Sequence, residues 1–314
     1  MLVRAAFIAR NGPPEVLEIG DLPAPSIESS QVLVRVHATS VNPIDCYVRR
    51  GGLQRFAEVP FPIVPGVDIS GVVEKCGDKV RRFSRGDEVF AFVPRGRDAS
   101  AEFAACEESW LARKPSFLSH TEAAVLPCVG LTALQGLRDK LRLTPGQSVL
   151  IVGASGGVGT MAVQIAHALG AEVTAVCSSS NVNLVQNLGA ARVIDYTKSD
   201  LREESRQYNG VFECVGSRNC WYYRKLLKPR GRHVGISCSR RSRIEGLLFR
   251  ITGKRSFQFH VKAKHEDLEV LGALIEQSKL RPIVSHVYTL AQFADAHRQC
   301  ETHRTIGKIA VQIS

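Results

Sequence analysis

The segment Gly153-Ala-Ser-Gly-Gly-Val-Gly159 has the composition of a phosphate cradle. It follows a short apolar run, Ser148–Val152, and precedes a stretch of helical spacing, Thr160–Leu169, that stops at Gly170. A chain turning this tightly from strand to helix needs glycine where a Cβ would collide, and a bound phosphate needs open approach to backbone N–H groups. The helix N-terminus adds a dipole that favours an anion. The spacing is G-x-x-G-G-x-G rather than G-x-G-x-x-G, so the strand-turn-helix setting carries the reading more than the glycines themselves. Gly153, Gly156, Gly157 and Gly159 are therefore expected to contact a dinucleotide, the alternative being a tight turn with no ligand.

The end of the next strand separates two dinucleotides. A site for NAD usually places Asp or Glu about 20 residues beyond the turn, where it binds the ribose hydroxyls. This chain has Cys177-Ser178-Ser179-Ser180-Asn181 there. A carboxylate would repel a 2′-phosphate, whereas hydroxyls and an amide donate to it, so NADPH is expected. The serines also suit the cap of the following helix. No Arg or Lys lies in this stretch, so a charge partner for the phosphate must come from elsewhere.

These residues need a scaffold. From about Thr121 the sequence takes on helical spacing, with Ala, Leu and Glu as far as Leu137; Thr144-Pro145-Gly146 then breaks it. Strands are expected at Ser148–Val152, Glu172–Cys177, Arg192–Asp195, Gly210–Cys214, Arg232–Ser237 and Ser256–Val261, with helices between most of them. Six strands alternating with helices imply an α/β fold with a doubly wound parallel sheet. Residues 1–118 read instead as short alternating runs between turn clusters such as Gly12-Pro13-Pro14 and Arg85-Gly86-Asp87, the pattern of a small β-barrel or sandwich. After a helix near His265–Ser278, β-like sequence ending in Lys308-Ile-Ala-Val311 is expected to return to that first domain.

Several separated motifs then stand in a telling order: Val41-Asn-Pro-Ile-Asp-Cys-Tyr-Val-Arg-Arg-Gly51, Pro65-Gly-Val-Asp-Ile-Ser-Gly71, Gly86-Asp-Glu-Val89, Leu131-Thr-Ala133, the glycine turn and Gly307-Lys308. With them the chain resembles the medium-chain dehydrogenase/reductase superfamily over nearly its whole length, in the zeta-crystallin-like quinone oxidoreductase branch. The resemblance implies a GroES-like β-barrel domain (1–118 and 263–314) interrupted by a Rossmann NADP-binding domain (119–262). It implies a homodimer joined near Ser256–Val261.

Zinc-dependent members of that superfamily carry an early Cys ligand, a Gly-His-Glu motif and a later Cys. By motif alignment Asn42 replaces the first, Gly66-Val67-Asp68 replaces the second, and Cys128 stands near the third. A catalytic zinc takes about three protein ligands, so no metal is expected here. The resemblance places cofactor contacts at Tyr47, Thr132, Ser155 to Val158, Ser178, Tyr196 and Gly235-Ile236-Ser237-Cys238. Thr132 and residues 235–238 would flank the nicotinamide; Asn181 and Tyr196 would sit by the adenosine phosphate. Some relatives carry a basic residue at the position of Ser180, and Lys308 is a candidate supplementary cation.

Hydride transfer to a quinone or another conjugated carbonyl leaves negative charge on the substrate oxygen, which needs a hydrogen bond or a proton. Asn42, Asp45 and Tyr47 share the segment that resembles the family's active-site wall. Tyr47 would donate through its phenol and Asn42 through its amide, with Asp45 orienting its neighbours. Quinones, enones, enals and enoyl thioesters all suit a pocket without metal.

Composition bounds the rest. The chain has 314 residues, 44 % hydrophobic and 23 % charged, an ordinary globular mixture with room for two cores. No apolar run approaches the roughly 20 residues of a membrane span. Arg4 and Arg10 leave too short an apolar run for a secretory signal. The nine cysteines form no Cys-x-x-Cys pair and fit a reducing compartment, read as the cytoplasm unless a targeting peptide has been removed. A net charge of +11 suits anionic partners. Ser239-Arg240-Arg241-Ser242-Arg243 and Gly253-Lys254-Arg255 bracket the more apolar Ile244–Ile251. The favoured reading is a solvated loop and helix end; weak contact with an anionic membrane surface is the alternative, and nucleic acid is not expected. A cofactor-sensing protein that binds membrane or RNA with little catalysis stands as the second class of function.

Overall fold

The computed structural model describes residues 1–52, 59–94, 99–236 and 240–313, with backbone alone for 240–243. The chain divides into two compact units. One comprises Met1–Cys128, Lys262–Glu276 and Pro282–Ser314; the other comprises Val129–Val261 and Gln277–Arg281.

The first unit is mostly antiparallel sheet. Strands β1 (Leu2–Ile8) and β2 (Leu17–Pro23) form a hairpin-like pair. They are followed by β3 (Gln31–Val41), helix α1 (Pro43–Arg49), β4 (Asp68–Cys76), β5 (Glu88–Phe92), β6 (Phe103–Glu107), β7 (Leu111–Arg113) and helix α2 (His120–Ala124). Along β3 the burial alternates: Val32, Val34, Val36 and Ala38 are buried while Arg35 is exposed, the period of two that seats one face on a core. Phe83, Ile69, Val89 and Leu111 fill that core. The chain comes back to this unit as α7 (His265–Glu276), β14 (Val284–Thr289), α8 (Phe293–Glu301) and β15 (Lys308–Gln312). The sheet order is β14-β15-β3-β4-β5-β7, with β6 also on β3. Ile309 pairs with Val41, so the C-terminal strand lies directly beside the start of α1.

After α2 comes α3 (Pro127–Gln135), which from Val129 on belongs to the second unit. Sequence spacing suggests one helix over Thr121–Leu137, but the chain divides it at Pro127, which has no N–H to continue the ladder of α2. Helix α2 packs on β3 and β4, so residues 119–128 join the first unit instead of the second.

The second unit holds β8 (Ser148–Val152), α4 (Gly157–Ala168), β9 (Glu172–Cys177), α5 (Val182–Asn187), β10 (Arg192–Asp195), β11 (Tyr208–Glu213), β12 (Leu227–Gly235), α6 (Arg240–Leu248) and β13 (Arg255–Gln258). All pairs in its sheet are parallel, in the order β10-β9-β8-β11-β12-β13. This is the 3-2-1-4-5-6 order of the doubly wound Rossmann fold, whose ligand crevice lies at the carboxyl ends of the strands where the order reverses, here between β8 and β11. Helix α4 ends as expected at Gly170, whose φ is +75°. Gly170 N–H donates to His167 O and Ala171 N–H to Ala166 O, the paired bonds of a Schellman cap.

Candidate active site

At the crossing between β8 and β11, the glycine turn leads from β8 into α4. Gly153 has φ +75°, and Gly153 and Ala154 donate their N–H groups to Val176 O of β9 at 3.2 and 3.0 Å. A Cβ on Gly159 would lie 2.1 Å from Gly153 O, so only glycine lets the first turn of α4 approach the strand end this closely. A Cβ on Gly156 would meet nothing nearer than Gly153 O at 3.5 Å; that side of the turn is open. The N–H groups of Gly157, Val158 and Gly159 are ones an α-helix leaves without an internal acceptor. A cradle closed to side chains behind and open in front, at a helix N-terminus, fits a pyrophosphate.

Beyond β9, Asn181 Nδ2 donates to Ser155 Oγ and to Ser178 Oγ, both at 3.1 Å, and ties the second strand's end to the glycine turn. Ser178 and Ser180 hydroxyls lie 3.1 Å apart. Ser179 turns away and donates to Asp195 at the end of β10. Together with Thr197, this hydrogen bond holds the Asp195 carboxyl down at about 2. The ionised Asp195 in turn draws in Lys198, whose Nζ is 3.7 Å from Oδ2 on a mostly exposed side chain. Lys198 thus places a cation on the Asp195 carboxylate that Ser179 also binds. Tyr196 is 61 % exposed, and its N–H donates to Cys177 O. Gly235 ends β12, and Ile236 N–H donates to Glu213 O. Glu213, unmarked in the sequence, is buried at the end of β11, where its carboxylate accepts from the N–H groups of Val215 and Gly216 and fixes the turn. Ser237 and Cys238 lie outside the described residues. Thr132 is half-buried on α3.

In the first unit Asn42, Asp45 and Tyr47 occupy the start of α1, with Pro43 at the first helical position, where its missing N–H costs nothing. Asp45 Oδ2 accepts from Asn42 N–H at 2.8 Å. Its other oxygen is buried without a partner, and burial pushes the carboxyl up to about 7. Asn42 is buried too. Its Nδ2 donates to Asp68 Oδ2 at 2.8 Å and to Ser40 Oγ at 3.3 Å, while its Oδ1 accepts from Lys308 Nζ at 2.6 Å. Lys308 also donates to Val41 O at 2.9 Å and lies 4.0 Å from Asp68 Oδ2. Asp68 accepts from Ser40 Oγ at 2.6 Å and from Cys128 N–H at 2.7 Å. Burial pushes its carboxyl up, against the pull of Lys308 and these donors.

Two expectations change. Lys308 is 5 % exposed and fully engaged inside the first unit, so it is a partner of Asn42 and Asp68 and not a free cation for a phosphate. Asn42 has no amide hydrogen to spare for a substrate, because both sides of its amide are committed. The physical reason is the same in both cases: β15 pairs with β3, which brings Lys308 under the N-terminus of α1. Tyr47 differs, being 40 % exposed. Its ring lies over Gly52, where a Cβ would come within 2.1 Å of Cε1.

Of the positions that align with the zinc motifs of metal-dependent relatives, Asn42 and the backbone of Cys128 are joined by hydrogen bonds through Asp68, while Val67, at the histidine of Gly-His-Glu, is a buried apolar side chain. Their chemistry does not fit the ion. The amide oxygen and the carboxylate already serve an ammonium and three donors, and one thiol is left. Among the described residues no group of three or more His, Cys, Asp or Glu is placed to hold a metal.

Known proteins share this architecture. Residues 28–124 match the family described as alcohol dehydrogenase GroES-like domain, and residues 188–311 match that described as zinc-binding dehydrogenase. The chain is 33 % identical over 309 residues to an NADPH-dependent alkenal/one oxidoreductase of Arabidopsis thaliana, covering 95 % of this chain and 76 % of that one. It is 32 % identical to the quinone oxidoreductase of Mus musculus, covering 94 % and 93 %. The solved structure of the quinone oxidoreductase from Coxiella burnetii superposes with a TM-score of 0.90 at 30 % identity, covering all of both chains. The chain belongs to the medium-chain dehydrogenase/reductase superfamily, in its quinone oxidoreductase branch. It is an oxidoreductase.

Proposed function

We propose that the protein reduces a quinone or another α,β-unsaturated carbonyl compound with NADPH and without a metal. The observation that carries this reading is the glycine cradle at the β8–β11 crossing, followed by a β9 end that carries the Ser178 and Ser180 hydroxyls and no carboxylate of its own, with Asp195 of the next strand engaged by Ser179, Thr197 and Lys198. Gly153 to Gly159 would hold the pyrophosphate. Ser178, Ser180, Tyr196 and Lys198 would hold the 2′-phosphate, with Asn181, whose amide hydrogens go to Ser155 and Ser178, fixing the strand end against the turn; Thr132 with Gly235 and Ile236 would line the nicotinamide. NADPH, when bound, supplies the hydride. The residues of the chain orient it, exclude water and meet the charge that develops on the substrate oxygen.

Tyr47 is the group on α1 that retains a hydroxyl for that task, since Asn42 is committed to Asp68 and Lys308. Asn42 and Asp45 would act through it, by fixing the start of α1. A conjugated acceptor spreads the incoming charge, so one donor suffices. Oxidation of a simple alcohol would lack the Lewis acid that stabilises an alkoxide. The test follows NADPH absorbance with 1,2- and 1,4-quinones, enals, enoyl thioesters and primary alcohols. Turnover is expected with the conjugated acceptors only, and Tyr47→Phe is expected to lower it about 10²-fold, the scale of a lost general acid. Inert acceptors with NADPH bound would replace this reading with a cofactor-sensing binding protein.

One surface favours a further contact. Ile244, Leu247, Leu248 and Ile251 are exposed at i, i+3, i+4, i+7 spacing on α6 and its continuation, with Arg250 and Arg255 exposed nearby. An apolar stripe flanked by cations suits the surface of an anionic membrane. None of the described helices is long and apolar enough to cross one. Co-sedimentation with anionic vesicles should leave a salt-resistant remainder, and Leu247→Ser should remove it. Among the described residues β13 pairs only with β12, so its free edge suits a second copy; sedimentation tests the dimer. The free cysteines suit a reducing compartment, cytoplasmic or within an organelle.

A further inference from the structure

A second cluster lies on the other face of α1, where the proposed hydride chemistry makes no use of it. Cys46 stands between Asp45 and Tyr47 and is 4 % exposed. Cys300, 254 residues further on, lies near the end of α8 and is only partly buried. Cys300 packs against the apolar cluster that contains Cys46, Phe293 and Ala296, and His297, one turn before Cys300 on α8, lies beside the Cys46 sulfur.

The surroundings are polar and asymmetric. Cys46 Sγ is 3.5 Å from His297 Nδ1, and Arg49 Nη1 donates to that same nitrogen at 3.1 Å. His297 Nδ1 therefore carries a lone pair and its Nε2 the hydrogen, which is buried without a partner. Burial, with Arg49 beside it, holds His297 down at about 3, so the ring stays neutral. Arg49 is itself fully buried and paired with Glu301, the neighbour of Cys300. Asp45 and Lys308 also act on the pair, with opposite signs. The neighbouring Cys46 thiol holds the Cys300 thiol below its ordinary value, and Lys308 assists. Thiolate character thus falls on the more accessible sulfur, while the buried one sits within reach to resolve an oxidised product.

We propose that Cys46 and Cys300 form a redox modification site, in which a hydroperoxide oxidises Cys300 and Cys46 closes a disulfide that ties α1 to α8. The Cys300 thiolate takes an oxygen from the peroxide, with one proton, giving a sulfenic acid and releasing water or an alcohol. The Cys46 sulfur then attacks the Cys300 sulfur; the S–S bond forms, the S–O bond breaks, and the hydroxyl leaves as water with the Cys46 proton. Two electrons pass from the thiol pair to the peroxide, and a dithiol reductant reverses the step. The site does not depend on which acceptor the enzyme reduces. Its effect is on the helix that carries Tyr47, which a covalent tie holds against α8.

The test treats the intact, reduced protein with hydrogen peroxide at about equimolar to tenfold excess, then alkylates and digests it without reduction. The expected product is one peptide pair joining Cys46 to Cys300, two hydrogens lighter than the sum, abolished by dithiothreitol and absent from Cys300→Ala. Amide exchange over 43–49 and 293–301 should slow in the oxidised protein and return on reduction. Cys46→Ser should instead leave Cys300 trapped as sulfenic acid, captured by dimedone. Sulfinic or sulfonic acid at Cys300 with no cross-link in the wild type would overturn the proposal. So would a cross-link through other cysteines, an unmodified pair while other thiols react, or a cross-link that leaves exchange in α1 unchanged.

Discussion

The turn at Gly153–Gly159 offers a ligand backbone N–H groups, and its side chains are mostly absent. The cluster at the start of α1 is made of side chains, and nearly every polar atom in it already has a partner: Asn42 with Asp68, Ser40 and Lys308, and Asp68 with Cys128 N–H. The two regions belong to different compact units and solve different problems. The first must leave room for a negatively charged group and keep its donors free. The second must hold a helix start rigid beside exposed Tyr47, with charges buried where metal-dependent relatives place an ion. An open cradle is sensitive to added atoms; a closed network is sensitive to removed ones.

Removal should cost most at Lys308. Lys308→Met leaves Asn42 Oδ1 without its donor and Asp68 buried without its cation. Breaking a buried charge pair on one side costs about 3–5 kcal/mol. Thermal unfolding should show a large fall in Tm, and adding Asp68→Asn should recover part of it. A fall under about 1 kcal/mol would mean that the network tolerates loss as an exposed pair does. Addition should cost most at Gly159. The Cβ of Gly159→Ala would be 2.1 Å from a backbone oxygen, so the turn or α4 must shift. NADPH affinity is expected to fall at least about 100-fold, near 2.7 kcal/mol, by fluorescence titration. Unchanged affinity would sink the cradle.

Smaller effects sharpen the contrast. If the side chains around the turn choose the cofactor, Lys198→Glu should reduce the preference for NADPH over NADH about tenfold, the worth of one good charged hydrogen bond. An unchanged ratio would place the phosphate away from Ser178 and Lys198. The smallest effect is at Asp45. Its folded-state value, about 7, lies above that of an unfolded aspartate, so ionisation works against the fold. The stability it contributes is complete below about pH 4 and is lost as pH rises through about 7. Asp45→Asn keeps an acceptor for Asn42 N–H and cannot ionise. Its Tm should therefore exceed that of the wild type by a few degrees at pH 8 and converge with it at pH 4. Parallel profiles would mean that Asp45 is ionised at no cost.

Much of the second unit was legible because its signals are local. A strand, a glycine turn and a helix follow one another within about 20 residues, and periodicity reads them in order. The strand ends were less so: β12 begins at Leu227, well before the expected Arg232, because Leu227 pairs with Tyr208 and is buried with it ahead of a register shift, where Pro229, Arg230 and Gly231 break the local pattern. The division of Thr121–Leu137 at Pro127 was written in the sequence and outweighed by composition. Lys198 stands beyond β10, far from Cys177–Asn181 in sequence, and its ion pair with Asp195, which Ser179 also binds, links it to the end of β9.

What the sequence by itself determined was the fold class, the alternation of strands and helices in the second unit and the place of the glycine turn. Those depend on backbone geometry, glycine and hydrophobic period, which act between near neighbours. It also named Asn42, Asp45 and Tyr47 together, through their shared segment. The tertiary structure alone decided what each can do. Lys308 and Asn42 are 266 positions apart and meet because β15 pairs with β3. Cys46 and Cys300 meet because α8 packs on α1. Burial then sets the charge state of Asp45 and the use of the Asn42 amide. A side chain's chemistry depends on which donors and how much water surround it, and those neighbours come from strands that no local pattern connects.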